Sequence, residues 1–564
     1  MPSNSSGNTA AGDRCLFCHG RATQGIFGGG PNGVGCILGL GAFGVVALAL
    51  LLSMWFQPMD AVLFGDSIAY LGGANGFVER GSFCLPEWIG RPSAGAYPPG
   101  NSLLLAVPRA VFGPQCDHPV AFGRWQIVVG LVSLAGIFQL MRRMRVPIGL
   151  SLSTVGSLAV SLNFSWAHFH LWPDAVFAGT VCFAASFWMG HQPVGLELKR
   201  WHLTGLFLGW ALLLKPAALP FVGAAGLGAL TWLVRPEAAS RSWRPLAAYS
   251  IWPVFAFIVW SWSSVDAVSY ADLVRDQWDL DSSSLGHRER FWQNLRHVLG
   301  GHVLVDGTFP LWIRFVGIAG RGGAAIGAGL DLLREAVHAS LLLGVAIWVG
   351  RTQSMAARLL LLALLAYAGA AVFMPFELSV RHIFVAAPVA VAWIHGFLVH
   401  LRPRWSSGIS ACLITLMCVQ TVLGAFWSLE TLGAGFRWAA ANRRGLDQMA
   451  AHFQKHLGQD EVVAVAFTVD VMHLHARFGR EFLVDYLTRP NLSGWVSHRQ
   501  QGFVAADYVL IPGELPAGSP FRSMLWEVYR TDRGTLVLYQ VDPEAEQKWR
   551  AKTGYPQPEP RPRP

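Results

Sequence analysis

Apolar runs of bilayer length recur along this chain from residue 34 to residue 429. The hydrocarbon core of a membrane is about 30 Å thick, which a helix of about 20 residues crosses. Inside it, only helices or closed barrels satisfy their own backbone hydrogen bonds. The runs are Val34–Phe56, Val120–Met141, Ile148–Trp166, Leu171–Met189, Trp201–Val234, Leu246–Val265, Ala336–Val349, Leu359–Phe373, His382–His400 and Gly408–Leu429. Trp201–Val234 is too long for one crossing and holds Pro216 and Pro220, so it reads as two short spans. The expectation is an α-helical polytopic membrane protein with about eleven transmembrane helices. With 53% hydrophobic and 14% charged residues and a mean hydropathy of +0.39, the composition agrees.

The basic residues sit between these runs: Arg142, Arg143 and Arg145; Lys199 and Arg200; Arg235, Arg241 and Arg244; Arg351 and Arg358; Arg402 and Arg404. Such loops stay in the cytoplasm. Both ends of Trp201–Val234 carry them, so an even number of crossings lies between, as the split requires. The expectation is a cytoplasmic N-terminus, with loops 57–119 and 266–335 and the C-terminal region outside. The net charge of +9 is then a topology signal and gives no reason to expect nucleic-acid binding.

Residues 1–33 are small, polar and Gly-rich, the composition of a disordered segment. Cys15, Cys18 and His19 match a haem-attachment spacing, but the charge pattern puts them on the reducing side, so a chance match or weak metal pair reads better. In the long outer loop, Phe291, Trp292, Leu295, Val298 and Leu299 mark one helical face, suited to the membrane interface or to packing on the spans. Beyond residue 430 the pattern changes. Helical character at 443–457 and strand-like Glu461–Phe467, Asp507–Ile511, Trp526–Tyr529 and Thr535–Val541 predict a small extracytoplasmic α/β domain over 431–545. A Pro-rich tail fills 546–564.

The first outer loop is the most patterned stretch. Asp60 and Asp66 lie just past the first span, and Tyr70 follows Asp66 by four residues, one helical face apart. Ala74 and Gly81 come next, then Tyr97-Pro98-Pro99-Gly100 and an apolar helix. This pattern resembles the first extracytoplasmic loop of the GT-C superfamily, membrane glycosyltransferases that use sugars linked to polyprenyl phosphate. Protein O-mannosyltransferases and aminoarabinose transferases are of this kind. Many relatives carry Asp-Glu at the acid, where this chain has Asp66-Ser67.

The resemblance implies an inverting transfer from a polyprenyl-phosphate-linked sugar to a lipid, glycan or protein acceptor. Asp66 takes the place of the catalytic base, with Asp60 as the fallback; pairing with Arg80 or Arg91 is the structural alternative. Asp174 matches a second acid at the start of the fourth span. His168 and His170, two apart, could join it around a divalent metal or make ordinary interfacial hydrogen bonds. Lys215, in Leu-Leu-Leu-Lys-Pro, matches a lipid-phosphate cation; snorkelling to the headgroups is its other reading. Arg381 opens an Arg-His-Ile-Phe segment like the superfamily's Arg-aromatic motif, beside His382, and an Arg381–Glu377 pair is its alternative. Tyr70, Tyr97 and His382 complete the expected substrate contacts. No cofactor is expected apart from that metal. Asp66, Lys215 and Arg381 are expected to converge at the outer face. Cys84 and Cys116, both in an oxidising loop, are expected to pair. The rival reading is a transporter or lipid flippase, which would place its charges near span centres and show repeat symmetry.

Overall fold

The computed structural model describes residues 44, 66–86, 88, 97–113, 119–161, 171, 173–189, 197–234, 243–264, 287–299, 324–374, 385–458, 460–465, 471–478, 480–484, 505–515 and 519–553. The first expected span apart from residue 44, the N-terminal Cys15-Cys18-His19 segment, Asp60, His168, His170, Arg381 and His382 lie outside these residues.

Two short helices, α1 (Asp66–Arg80) and α2 (Gly100–Phe112), form the described part of loop 57–119. Next come α3 (Pro119–Arg143), α4 (Ile148–Ala159), α5 (Asp174–Met189), α6 (Glu197–Leu214), α7 (Leu219–Val234) and α8 (Arg244–Ser263). The run 201–234 is indeed broken at Lys215-Pro216, where one 3-10 turn, Pro216–Ala218, separates α6 from α7. Proline denies its predecessor the helical conformation, and Lys215 is extended at φ −154° and ψ 138°. In the long loop, α9 (His287–Leu299) presents Arg288, Trp292, Arg296 and Leu299 outward at helical spacing. Its buried Asn294 donates to the Val372 and Met374 carbonyls.

The remaining helices are α10 (Ala324–Thr352), α11 (Met355–Val372), α12 (Ala386–Leu401) and α13 (Ser406–His456). Helix α10 begins 12 residues before the apolar run that marked it, inside the expected outer loop. Its polar first half is anchored by Glu335, paired with Arg296 at 2.9 Å. Helix α13 is 51 residues long and runs without a break from the last apolar run into the C-terminal domain.

Among the described residues four stretches are long and apolar enough to cross a membrane: Arg124–Arg143, Arg244–Ser263, Met355–Val372 and Pro403–Phe426; shorter apolar helices accompany them. Ile251, Val254, Phe255 and Ile258 on α8 are each more than half exposed, an outward apolar face of the kind a membrane span turns to lipid. The helices approach closely through small residues. A Cβ on Gly136 of α3 would stand 2.5 Å from the Gly179 carbonyl oxygen of α5.

The C-terminal domain is a five-stranded sheet in the order β2-β1-β3-β5-β4, built from β1 (Val463–Val465), β2 (Leu483–Val484), β3 (Tyr508–Pro512), β4 (Leu525–Arg530) and β5 (Leu536–Val541). Strands β2, β1 and β3 are parallel, and β5 turns the sheet antiparallel. Four of the strands were legible; two-residue β2 was too short to leave a pattern. Helices α14 (Val471–Phe478) and α15 (Pro543–Thr553) complete the domain. Its core does not stop at the sheet. Tyr70, Leu71, Ala74 and Trp88 of loop 57–119 belong to the same buried cluster as Met449, Phe453, Phe482 and Val509, and Trp88 bridges Phe482 as a parallel β-pair. The first loop and the C-terminal domain therefore lie on one side of the helices. Cys84 carries a free thiol, so the expected Cys84–Cys116 disulfide is not formed. Cys84 is instead packed against Gly76 of α1.

Candidate active site

Helices α5 and α6 are sequential and antiparallel, so the start of one lies beside the end of the other. Asp174 is the first residue of α5 and Lys215 follows the last residue of α6. The Lys215 Nζ stands 2.5 Å from Asp174 Oδ1. Each charge sits at the helix end whose dipole favours it, the carboxylate at an N-terminus and the ammonium at a C-terminus. Asp174 is only 4% exposed and Lys215 20%, so the pair is largely withdrawn from water. Lys215 is thus held by Asp174 and does not snorkel freely, and Asp174 has a cation as its partner.

Loop 57–119 meets this pair through α2. The rigid Pro98-Pro99 pair delivers Gly100 to the first position of that helix. A Cβ on Gly100 would stand 2.6 Å from the Leu213 carbonyl oxygen, so α2 begins against the last turn of α6, two residues from Lys215. Only glycine permits that approach. The next residue, buried Asn101, donates from Nδ2 to the Leu171 carbonyl at 2.7 Å. Leu171 has φ +55°, a left-handed conformation that leucine rarely adopts.

Tyr70 and Tyr97 pack edge to face with ring centroids 5.3 Å apart. Tyr70 lies one helical turn after Asp66, the first residue of α1, and Tyr97 lies two residues before Pro99. The turn that carries Asp66 is thereby tied, through Tyr70, Tyr97 and Gly100, to the end of α6. On another side, Tyr367 of α11 is buried against Phe177 and Phe221, within electrostatic reach of Asp174.

Of the residues expected at the site, Asp174 and Lys215 are in direct contact, and Tyr70 and Tyr97 are in contact one step away. The Asp66 backbone opens α1, and its side chain lies outside the described residues, as do Asp60, His168, His170, Arg381 and His382. Among the described residues no group of three or more His, Cys, Asp or Glu side chains is placed to hold a metal. Sequence reasoning missed Asn101, Leu171 and Tyr367. Asn101 directly follows Pro-Pro-Gly and was findable as a buried polar residue opening an apolar helix, whereas nothing in the letters marks a leucine for positive φ.

No protein-family model and no curated protein sequence matches the chain. Solved structures do. The apo structure of ArnT from Cupriavidus metallidurans is similar with a TM-score of 0.50 at 14% identity, over 88% of this chain and 97% of that one. The same protein bound to undecaprenyl phosphate gives 0.49 at 14% identity over the same shares. The apo oligosaccharyltransferase of Archaeoglobus fulgidus gives 0.45 at 10% identity, over 84% of this chain and 69% of that one. The chain has the fold of ArnT, and its apolar helices are those of a multi-pass membrane protein.

Proposed function

We propose that this protein is an inverting glycosyltransferase that moves a sugar from a polyprenyl-phosphate carrier to a lipid, glycan or protein acceptor on the extracytoplasmic face. The observation that carries the reading is the Asp174–Lys215 pair at the mouth of two helices, next to the loop that bears Asp66. A sugar phosphate leaves with negative charge, and a lysine in a poorly hydrated mouth offsets that charge more strongly than one in water. Asp174 holds Lys215 in place and aimed while no phosphate is present. Arg381 is the second phosphate cation.

Asp66 takes the proton of the acceptor hydroxyl while that oxygen attacks the anomeric carbon. The bond from carbon to phosphate oxygen breaks, and its electron pair leaves with the polyprenyl phosphate. One displacement inverts the sugar. Tyr70 and Tyr97 hold the Asp66 turn beside the phosphate. The transfer uses no cofactor, so EDTA should leave the rate unchanged; a loss in EDTA restored by a divalent ion would favour His168, His170 and Asp174 as metal ligands.

The transporter reading is disfavoured by depth, since Asp174 and Lys215 sit at helix ends and not near span centres. The deciding experiment uses the purified protein in liposomes with radiolabelled sugar on undecaprenyl phosphate and a crude envelope fraction as acceptor. Covalent transfer is expected in the wild type. Asp66→Asn should lower it by a factor of about 10² or more with carrier binding intact. Movement of the lipid across the bilayer without transfer would replace this reading with a flippase.

A further inference from the structure

Gln126 is fully buried in α3, and neither Oε1 nor Nε2 of its amide has a hydrogen-bond partner among the described residues. A buried amide left in that state costs free energy that evolution ordinarily removes by pairing it or replacing it with an apolar residue. Serine and threonine in membrane helices turn their hydroxyls to their own helix, as Ser133 does toward the Val129 carbonyl. Gln126 does not.

Its position is set by the packing of α3 on α5. Gly179 of α5 meets Ser133, and Gly136 meets Gly179 and Phe183, so the two helices run parallel in register. Seven residues, two helical turns, back along α3 from Ser133 bring Gln126 just past the level of Asp174, the first residue of α5. Phe122, one turn before Gln126, shares a buried cluster with Leu171 and Leu105. The neighbouring Trp125 donates to the Leu104 carbonyl of α2, less than a turn from Asn101. The Oδ1 of Asn101 is itself buried and unpartnered, its Nδ2 being spent on Leu171. Two amides with unspent polar atoms therefore flank the elbow that leads into Asp174 and Lys215.

We infer that Gln126, with Asn101 Oδ1, is a subsite for the hydroxyl groups of the donor's sugar, an inference that rests on the transfer reading above. The chemistry selects hydroxyls over phosphate. Two carbonyl acceptors and one amide donor set are unspent, and a hydroxyl both gives and takes a hydrogen bond. A phosphate oxygen only accepts and would leave Oε1 and Oδ1 facing like charge. The sugar lies one bond from the phosphate held at Lys215, so the layer beside that pair is where its hydroxyls fall.

The test is Gln126→Met, which keeps the volume and removes the polar atoms. Two readouts are taken on the full-length protein in detergent. The first is the melting temperature without ligand, expected to rise because an unpaired amide is gone. The second is affinity for undecaprenyl phosphate, bare and carrying glucose, mannose, arabinose or aminoarabinose. The wild type should bind at least one glycosylated carrier about tenfold or more tighter than the bare one. The variant should lose that advantage and bind the bare carrier within about twofold of wild type. A variant that melts lower or fails to fold shows the amide to be structural and overturns the subsite, as does one that keeps the sugar's advantage. A wild type that binds the bare carrier and gains nothing from any sugar also overturns it. A wild type that ignores the bare carrier overturns the transfer reading itself.

Discussion

Replacing Lys215 with methionine keeps most of the side chain's volume and removes its charge. Asp174, 4% exposed, is then left in place without a cation. Breaking a buried ion pair by deleting one member costs about 3–5 kcal/mol, because the remaining charge stays desolvated. The carboxylate can escape part of that cost by taking up a proton. For an ordinary aspartate at pH 7 that escape costs about 4 kcal/mol, which sets a ceiling. The expected destabilisation is therefore about 3–4 kcal/mol, or a factor of about 10²–10³ in the opening equilibrium of this helix pair. Cys182 reports it well: it lies on α5 eight residues after Asp174 and is fully buried. In a protein whose other seven cysteines are replaced, maleimide labelling of Cys182 should accelerate by about that factor in Lys215→Met. Adding Asp174→Leu should return labelling close to the wild-type rate, since an apolar pair in place of a buried ion pair is often neutral. The ratio of labelling rates, single variant over wild type at the same pH, should shrink as the pH falls, because protonating Asp174 becomes cheaper while the thiol chemistry is common to both. Equal labelling in wild type, single and double variants would refute the premise that the pair is withdrawn from water.

Two further outcomes follow from the geometry. Gly100→Ala sets a methyl group against the Leu213 carbonyl and should part α2 from α6 at a cost of about 1–3 kcal/mol; transfer should fall about tenfold or more, while unfolding of the C-terminal domain stays unchanged, and wild-type turnover would count against α2 as a wall of the site. In the C-terminal domain His452 stacks on Tyr529 at 4.0 Å and lies 4.6 Å from His456, and burial first, then the charges of His456 and Lys455, hold it below the ordinary value of 6.5. A histidine kept neutral by folding favours the folded state above its unfolded value, and that contribution is lost as the pH falls through the depressed one. The domain should thus unfold in less urea at pH 5.5 than at pH 7.5, with the difference reduced in His452→Phe; equal midpoints in the wild type would refute the coupling.

Much of the fold was legible because membrane spans are written in composition, which needs no knowledge of partners. The break at Lys215-Pro216 was readable for the same reason: proline acts on its own backbone. Helix boundaries were harder. Helix α10 carries Asp331, Arg334 and Glu335 on a polar first half, and α13 passes through Glu430 and Arg437, so a search for apolar runs ends each too soon. At the site, Asp174 and Lys215 were each recognisable by motif, but their contact joins residues 41 positions apart and depends on how α5 and α6 align. Gln126 had no signal at all, since a glutamine in an apolar run becomes unusual only once its surroundings are known. The expected Cys84–Cys116 bridge failed because compartment makes a disulfide permissible without bringing two sulfurs together.

The unbroken α13 links the lipid phase and the sheet domain as one shaft. At about 1.5 Å per residue its 51 residues rise about 75 Å, more than twice the hydrocarbon thickness. Each residue also turns the shaft by about 100°. Height and azimuth of the domain are consequently locked together. One residue inserted above the membrane would swing the sheet through more than a quarter turn and carry Phe482 away from Trp88, whereas seven would restore its heading within about 20° while lifting it about 10 Å. Length changes in this helix are thus quantised by the helical repeat, and the seating of the domain on α1 and Trp88 acts as the key that reads the phase.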